Sequence, residues 1–261
     1  MIPVGDYDLR IGYAKPYPIP QLIESGIEVM APIEQDKLKE LQDYTISTPE
    51  GQKRINSLKP FLIEYWDRVQ PLDLKNPFLS LALSTEVLAT VAGYLGCWPR
   101  LYDLRLWETK VTEPGVDKVY SQMWHRDPED KQLLNLFVYL NDVDEDTGPF
   151  TYIPGSHRFG PFWKKFPQIL PPRASYPGDV KVETYFKMGE IKTYTAPAGT
   201  IIFADTAGLH KGGYCTKKPR LMFKSLYVTD GNFYNTKHLY KLPPVLPSGL
   251  TDQQLYALGV L

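Results

Sequence analysis

At about Leu101 the hydrophobic period of this chain changes, and that change constrains its fold more than any other feature. Before it, apolar residues recur at helical spacing. After it, they alternate or gather in short blocks cut by Gly and Pro. Leu133 to Leu140 is the clearest block, a buried strand whose faces differ. Asn135, Phe137 and Tyr139 share one face, and Leu134, Leu136, Val138 and Leu140 share the other. Leu101 to Val111, Val119 to Asp127, Phe150 to Ile153, Val182 to Phe186, Thr200 to Ala204 and Leu221 to Val228 read as further strands. Short strands with Gly/Pro turns predict an antiparallel barrel or jelly roll, mainly β with flanking helices.

The first hundred residues read as mostly helical, a support that braces one face of the barrel. Glu34 to Tyr44 is a polar-faced helix carrying Leu38 and Leu41. Pro49 to Val69 has Ile55, Leu58, Leu62, Ile63 and Trp66 at helical spacing, with Pro60 kinking or splitting it. Ser84 to Leu95 is a helix closed by Gly96. Pro16 to Pro20 is expected to be extended. Thr251-Asp252-Gln253-Gln254 is a capping box for a short last helix. There is no repeat, low-complexity tract or linker. Residues 1–261 are therefore expected to form a single domain: helical support over 1–100, β core over 101–230, tail over 231–261.

A net charge of −1 with scattered basic residues provides no field for nucleic acid or a membrane surface. The N-terminus lacks a signal-peptide pattern, and no apolar run approaches the roughly 18 residues of a span. Cys97 and Cys215 have neither metal-type spacing nor a disulfide framework. The expectation is a soluble, cytoplasmic protein with a small-molecule substrate and no nucleic-acid or membrane partner.

The chain has 4 histidines, and two stand in a pattern with chemical meaning. In His125-Arg126-Asp127, residues two apart on a strand face the same way, so His125 and Asp127 point into the barrel and Trp124 and Arg126 point outward. His210 follows the strand Thr200 to Ala204 and offers a third ligand. Two imidazoles and a carboxylate form a facial triad that suits Fe(II) and leaves one side of the metal open to a chelating co-substrate and O2. Arg220, ten positions past His210, offers a guanidinium that binds a carboxylate bidentately and stays charged when buried. A His-x-Asp spacing alone is weak, a strand His is more often a core or surface residue, and Arg220 has Lys217 and Lys218 beside it as in a solvated basic edge. Order and strand placement favour the functional reading.

Four motifs carry a resemblance. They are Met123-Trp124-His125-Arg126-Asp127, Leu140-Asn141-Asp142-Val143, Thr147-Gly148-Pro149-Phe150 through Pro154-Gly155-Ser156-His157, and Pro197-Ala198-Gly199-Thr200-Ile201-Ile202-Phe203 leading to His210. Together, over about residues 100–230, they resemble the phytanoyl-CoA dioxygenase family. The resemblance implies a double-stranded β-helix (a cupin-like jelly roll), Fe(II), and 2-oxoglutarate as co-substrate with O2. It implies His125, Asp127 and His210 as catalytic iron ligands and Arg220 as the anchor of the distal carboxylate of 2-oxoglutarate. Arg105, Lys110, Asn135, Phe137 and Tyr139 are candidates for the rest of the pocket. The implied reaction is hydroxylation of an unactivated C–H with release of succinate and CO2. Related halogenases lack the carboxylate so that chloride can take its place, so Asp127 favours oxygen transfer.

Desaturation or cyclisation is an alternative outcome. A non-catalytic metal- or ligand-binding cupin-like barrel is another, against which Arg220 counts, since such a module needs no buried dicarboxylate anchor. Gly212 departs from relatives that carry Ser two residues after the distal His. His157 reads as a structural turn residue and His238 as an exposed tail residue. Arg158 to Glu190, with Phe162, Trp163, Lys164, Lys165, Phe166 and Arg173, reads equally as a lid or as a surface excursion anchored by aromatics. Tyr13 to Pro20 is a second candidate cover for the barrel mouth.

Overall fold

The computed structural model describes residues 17–66, 71–166 and 175–261. Along the chain run α1 (Pro20–Ser25), β1 (Ile27–Pro32), α2 (Gln35–Ser47), β2 (Arg54–Ile55), β3 (Leu62–Glu64), α3 (Pro77–Ala82), α4 (Thr85–Leu95) and β4 (Arg100–Thr109). Next come β5 (Leu134–Tyr139), β6 (Phe150–Tyr152), α5 (Asp179–Glu183), β7 (Lys192–Tyr194), β8 (Thr200–Ala204), β9 (His210–Lys211), β10 (Arg220–Val228) and α6 (Asp252–Ala257). The strands pair antiparallel into a seven-stranded sheet, β1-β8-β5-β10-β4-β3-β2, and a three-stranded sheet, β7-β6-β9.

The alternation in β5 explains the layering. Leu134, Leu136 and Val138 join Leu104, Leu106, Ile201, Phe203 and Phe223 on the outer face of the large sheet. That face packs on Leu38 and Leu41 of α2, Phe78 of α3, and Val87, Leu88 and Val91 of α4. Fully burying side chains of this size contributes roughly 1.5–3 kcal/mol each. Phe137 and Tyr139 point the other way and meet Trp107, Ile202 and Met222, with Phe150 and Tyr152 of the small sheet. The two sheets thus enclose one interior, and the helices cover the opposite face of the larger one.

Local chemistry sets the element ends. The Ser84 hydroxyl accepts from the Val87 amide at the start of α4, and Gly96 closes that helix at φ 71°. Asn76 caps α3 by accepting from the Phe78 amide, and Thr251 caps α6 by accepting from the Gln254 amide.

Three expected elements differ. Pro49 to Val69 is not a helix where it is described (Val69 lies outside the described residues). It forms a short turn and then the β2–β3 hairpin at the sheet edge. The Asn56 side chain accepts from the Leu58 and Lys59 amides and so builds the hairpin turn, while Ile55 and Leu58 are exposed rather than facing a core. Val182 to Phe186 overlaps α5 instead of a strand; its two deeply buried residues, Val182 and Phe186, stand four apart, which is helical spacing. Val119 to Asp127 has a 3-10 turn at Tyr120–Gln122 and then a single bridge between His125 and His210. The first hundred residues are also less helical than expected, because β1, β2 and β3 lie among the helices. Residues 17–19 are irregular and Pro20 opens α1; Tyr13 to Pro16 lie outside the described residues.

Candidate metal centre

Antiparallel pairing delivers His210. β9 pairs with β6 on one side, and on the other the His125 amide donates to the His210 carbonyl at 2.8 Å while the His210 amide returns the bond at 3.0 Å. The Asp127 amide donates to the Thr206 carbonyl at 2.8 Å, so the stretch 123–127 is stitched along the β8–β9 connection. His125 and Asp127 thereby meet His210 without a continuous ladder. Their available ligand atoms lie within 4.8 Å of one another. Asp127 Oδ1 is 3.7 Å from His125 Nε2 and 3.8 Å from His210 Nε2.

Hydrogen bonds decide which atoms face the centre. His125 Nδ1 sits 2.9 Å from the Met123 carbonyl and His210 Nδ1 3.0 Å from the Gly208 carbonyl. A carbonyl only accepts, so each Nδ1 carries the proton and donates, leaving each Nε2 lone pair for a metal. Asp127 is oriented in the same way. Its Oδ2 accepts from the Thr206 hydroxyl at 2.7 Å and lies 3.5 Å from Lys224 Nζ and 3.4 Å from Asn135 Nδ2, leaving Oδ1 inward. Burial, then His210, pulls the His125 imidazolium well below its ordinary value, and burial also lowers His210. Burial alone would raise the Asp127 carboxyl, but Lys224 and both histidines outweigh it and hold the group far below the usual carboxylate range. Two neutral imidazoles and one carboxylate are the donor set a divalent metal needs.

A cavity of about 160 Å³ opens beside these groups. At one end lies Arg220, 2% exposed, donating from Nη1 to the Gly148 carbonyl. Its Nε is buried without a partner among the described residues. Gly213 makes room for it: a Cβ there would stand 2.4 Å from the Gly148 oxygen and 2.8 Å from Arg220 Cζ. An unpaired, buried guanidinium N–H on the pocket wall fits an anionic ligand group. Gly212 also lines the cavity, so the departure from Ser leaves space rather than a clash.

Among the other candidates, Phe137 and Arg105 line the cavity. Phe137 packs 5.1 Å from Phe150, which in turn packs 5.6 Å from the His210 ring. Arg105 is bound by Asp103 at 2.7 Å and Glu64 at 3.3 Å. Asn135 donates to the Thr206 hydroxyl at 2.5 Å and lies behind Asp127 rather than on the cavity wall. Tyr139 also lies off the wall, and Arg220 eases the upward push that burial gives its hydroxyl. Lys110 follows β4 and does not reach the lining.

Lys59, Glu129 and Lys224 are among the cavity residues that the sequence did not single out. Lys224 was legible, since Arg220, Met222 and Lys224 alternate on one face of β10. Lys59 depends on the unexpected hairpin, and Glu129 on how the loop after Asp127 turns back. Burial, then Arg105, pushes the Lys59 amine down to about 8, while burial, then Asp127, pushes Glu129 up to about 7.

Around the centre, His157 is fully buried and bonds through Nε2 to the Ile23 carbonyl at 3.1 Å. His238 is half-buried on Tyr240 rather than exposed, with ring centroids 4.6 Å apart. Trp124 does face away from the barrel interior, yet it is buried with Phe166, Val182 and Phe186. That cluster anchors the described part of Arg158 to Glu190; Arg173 lies outside the described residues.

Comparison with known proteins agrees with this architecture. No curated protein sequence matches the chain. Among solved structures, the epimerase SnoN in complex with Fe3+, alpha ketoglutarate and nogalamycin RO has a TM-score of 0.61 at 19% identity, covering 88% of this chain and 91% of that one. The non-heme alpha ketoglutarate dependent carbocyclase SnoK has 0.56 at 15%, covering 82% and 87%. EctD from S. alaskensis with 2-oxoglutarate and 5-hydroxyectoine has 0.57 at 20%, covering 81% and 75%. At such identities the likeness is one of fold: a jelly-roll core. The phytanoyl-CoA dioxygenase (PhyH) profile matches residues 82–222, more than half of the 261 residues, and the chain belongs to that family of iron- and 2-oxoglutarate-dependent oxygenases.

Proposed function

We propose that this protein hydroxylates an unactivated C–H of a small molecule, with His125, Asp127 and His210 holding Fe(II) and Arg220 holding the distal carboxylate of 2-oxoglutarate. The observation that carries the reading is the convergence of two Nε2 lone pairs and one carboxylate oxygen beside a pocket that ends in a buried guanidinium. With iron and 2-oxoglutarate bound, the site supplies oxidative chemistry in which O2 is consumed, 2-oxoglutarate becomes succinate and CO2, and one oxygen atom enters the substrate.

The chain's own groups do the positioning. The carbonyls of Met123 and Gly208 fix both imidazole tautomers. Thr206, itself bonded by Asn135, orients Asp127. Phe137, Phe150 and Met222 form an apolar wall that excludes water next to the metal position. Asp127 fills the ligand position that a halide would need, which supports oxygen transfer. A second outcome, removal of hydrogen without oxygen insertion, is favoured by the likeness to an epimerase and a carbocyclase.

Substrate-stimulated succinate production with mass spectrometry of the product tests both. Gain of one oxygen is expected; loss of two hydrogens, or no mass change, would overturn hydroxylation. Asp127→Ala with matched iron loading is expected to abolish turnover, and unchanged turnover would remove Asp127 from the ligand set.

A further inference from the structure

The cavity wall away from Arg220 is strongly charged, carrying Lys59, Arg105 and Lys224 against Asp103 and Glu129. Most of these charges are already matched. Arg105 is taken by Asp103 and Glu64, and Lys224 leans on Asp127 at 3.5 Å. Two groups are left over. The Lys59 amine has no ion-pair or hydrogen-bond partner among the described residues, and Glu129 Oε2 is buried without one. Lys59 feels the field of Glu129, though the two are beyond ion-pair contact. Lys59 is half-buried and Glu129 Oε2 is buried; leaving such groups unpaired is costly, and a ligand that pairs them recovers part of that cost on binding.

We infer that the substrate is a small zwitterion of amino-acid type, its carboxylate on Lys59 and its ammonium on Glu129, so that it bridges the two unpaired groups. This rests on the proposed oxygenase reading, since it assigns the part of the cavity that 2-oxoglutarate leaves free. One unpaired amine and one unpaired carboxyl group call for a molecule that carries a partner for each. An acyl chain, by contrast, would have to desolvate five charged side chains in a cavity of about 160 Å³. The β2–β3 hairpin supplies Lys59 together with Phe61 and Leu62 of the wall, so a segment remote from the metal ligands in sequence selects the substrate.

The test uses the Fe(II)-loaded protein with 2-oxoglutarate under anaerobic conditions. The probes are the free α-amino acids, each beside its methyl ester and its N-acetyl derivative, with binding read by calorimetry. At least one free amino acid is expected to bind about tenfold or more tighter than both derivatives, the scale of a lost charge-assisted hydrogen bond. Lys59→Met is expected to weaken the free amino acid and to erase the penalty of esterification. Glu129→Gln is expected to erase the penalty of acetylation. Circular dichroism and melting temperature establish that both variants fold. Failure of every amino acid to bind, retention of both penalties in the folded variants, or succinate production stimulated by acyl-CoA instead would overturn the inference. Binding of 2-oxoglutarate is measured before any probe is added. Its absence overturns the oxygenase reading, whereas its presence with no amino-acid response overturns only the substrate class.

Discussion

The glycine at 213 shows how narrow the tolerances are around the buried guanidinium. Any side chain there would push against Gly148 and Arg220 at once. Gly213→Ala is expected to raise the KM for 2-oxoglutarate by about tenfold or more while metal affinity holds, because displacing a positioned group by about 1 Å is enough to cost binding. Steady-state kinetics with a parallel metal titration check this, and an unchanged KM would separate Arg220 from the co-substrate. Thr206→Val removes the hydroxyl that orients Asp127 and is expected to weaken metal binding by roughly 10–100-fold, as losses of supporting partners do. The depressed imidazolium values set a pH expectation. Both histidines release their protons below the ordinary range and Asp127 is held ionised, so metal affinity is expected to fall less across pH 8 to 6 than proton competition at two ordinary histidines with pKa about 6.5 would make it. A fall across that interval as steep as two ordinary histidines would give would contradict it.

Strands and helices differed in how readily they could be read. β5, β8 and β10 stood out because each is buried on both faces or alternates cleanly, and α4 because Ser84 and Gly96 mark its ends. The β2–β3 hairpin was hidden because edge strands of two and three residues carry too few side chains to show a period, and Ile55 and Leu58 happened to fall at helical spacing. β9, two residues long, is likewise too short to show a period, yet it delivers His210. His125, Asp127 and His210 were legible as residue types in order, whereas Lys59 and Glu129 were not, because their place depends on loops that bring distant segments together. On the helical side, Phe78 is fully buried 4.8 Å from Phe223 and 5.9 Å from Trp66. Phe78→Ala is expected to cost about 3–5 kcal/mol of stability in denaturant unfolding. A loss below about 1 kcal/mol would mean that the helices contribute little to holding the large sheet.

At the scale of the whole molecule, the centre is assembled from the hairpin turn, β4, the stretch after Tyr120–Gln122, β9 and β10, so its integrity follows global stability. Asp205, fully buried, links the β8–β9 connection to the helical layer by accepting from the Tyr94 hydroxyl at 2.7 Å. Burial pushes its carboxyl up to about 7, against 3.8 for the free group. Between those values the folded state takes up the proton first, so this contribution to stability is present at low pH and is lost as pH rises toward 7. Asp205→Asn is expected to flatten the melting temperature across pH 5–8; an unaltered profile would remove Asp205 as its source. Asp127 acts in the opposite sense and only in strong acid, where its protonation would cost stability. Among the described residues no helix is long and apolar enough to cross a membrane.

The most direct test of the centre is an anaerobic titration of the Fe(II)-loaded protein with 2-oxoglutarate, followed by the visible charge-transfer absorption of the chelate. Saturable binding at one site per chain is expected for the native protein, with loss of the absorption in Asp127→Ala and weakened binding in Arg220→Ala. No binding at millimolar 2-oxoglutarate, or equal binding in all three proteins, would contradict it.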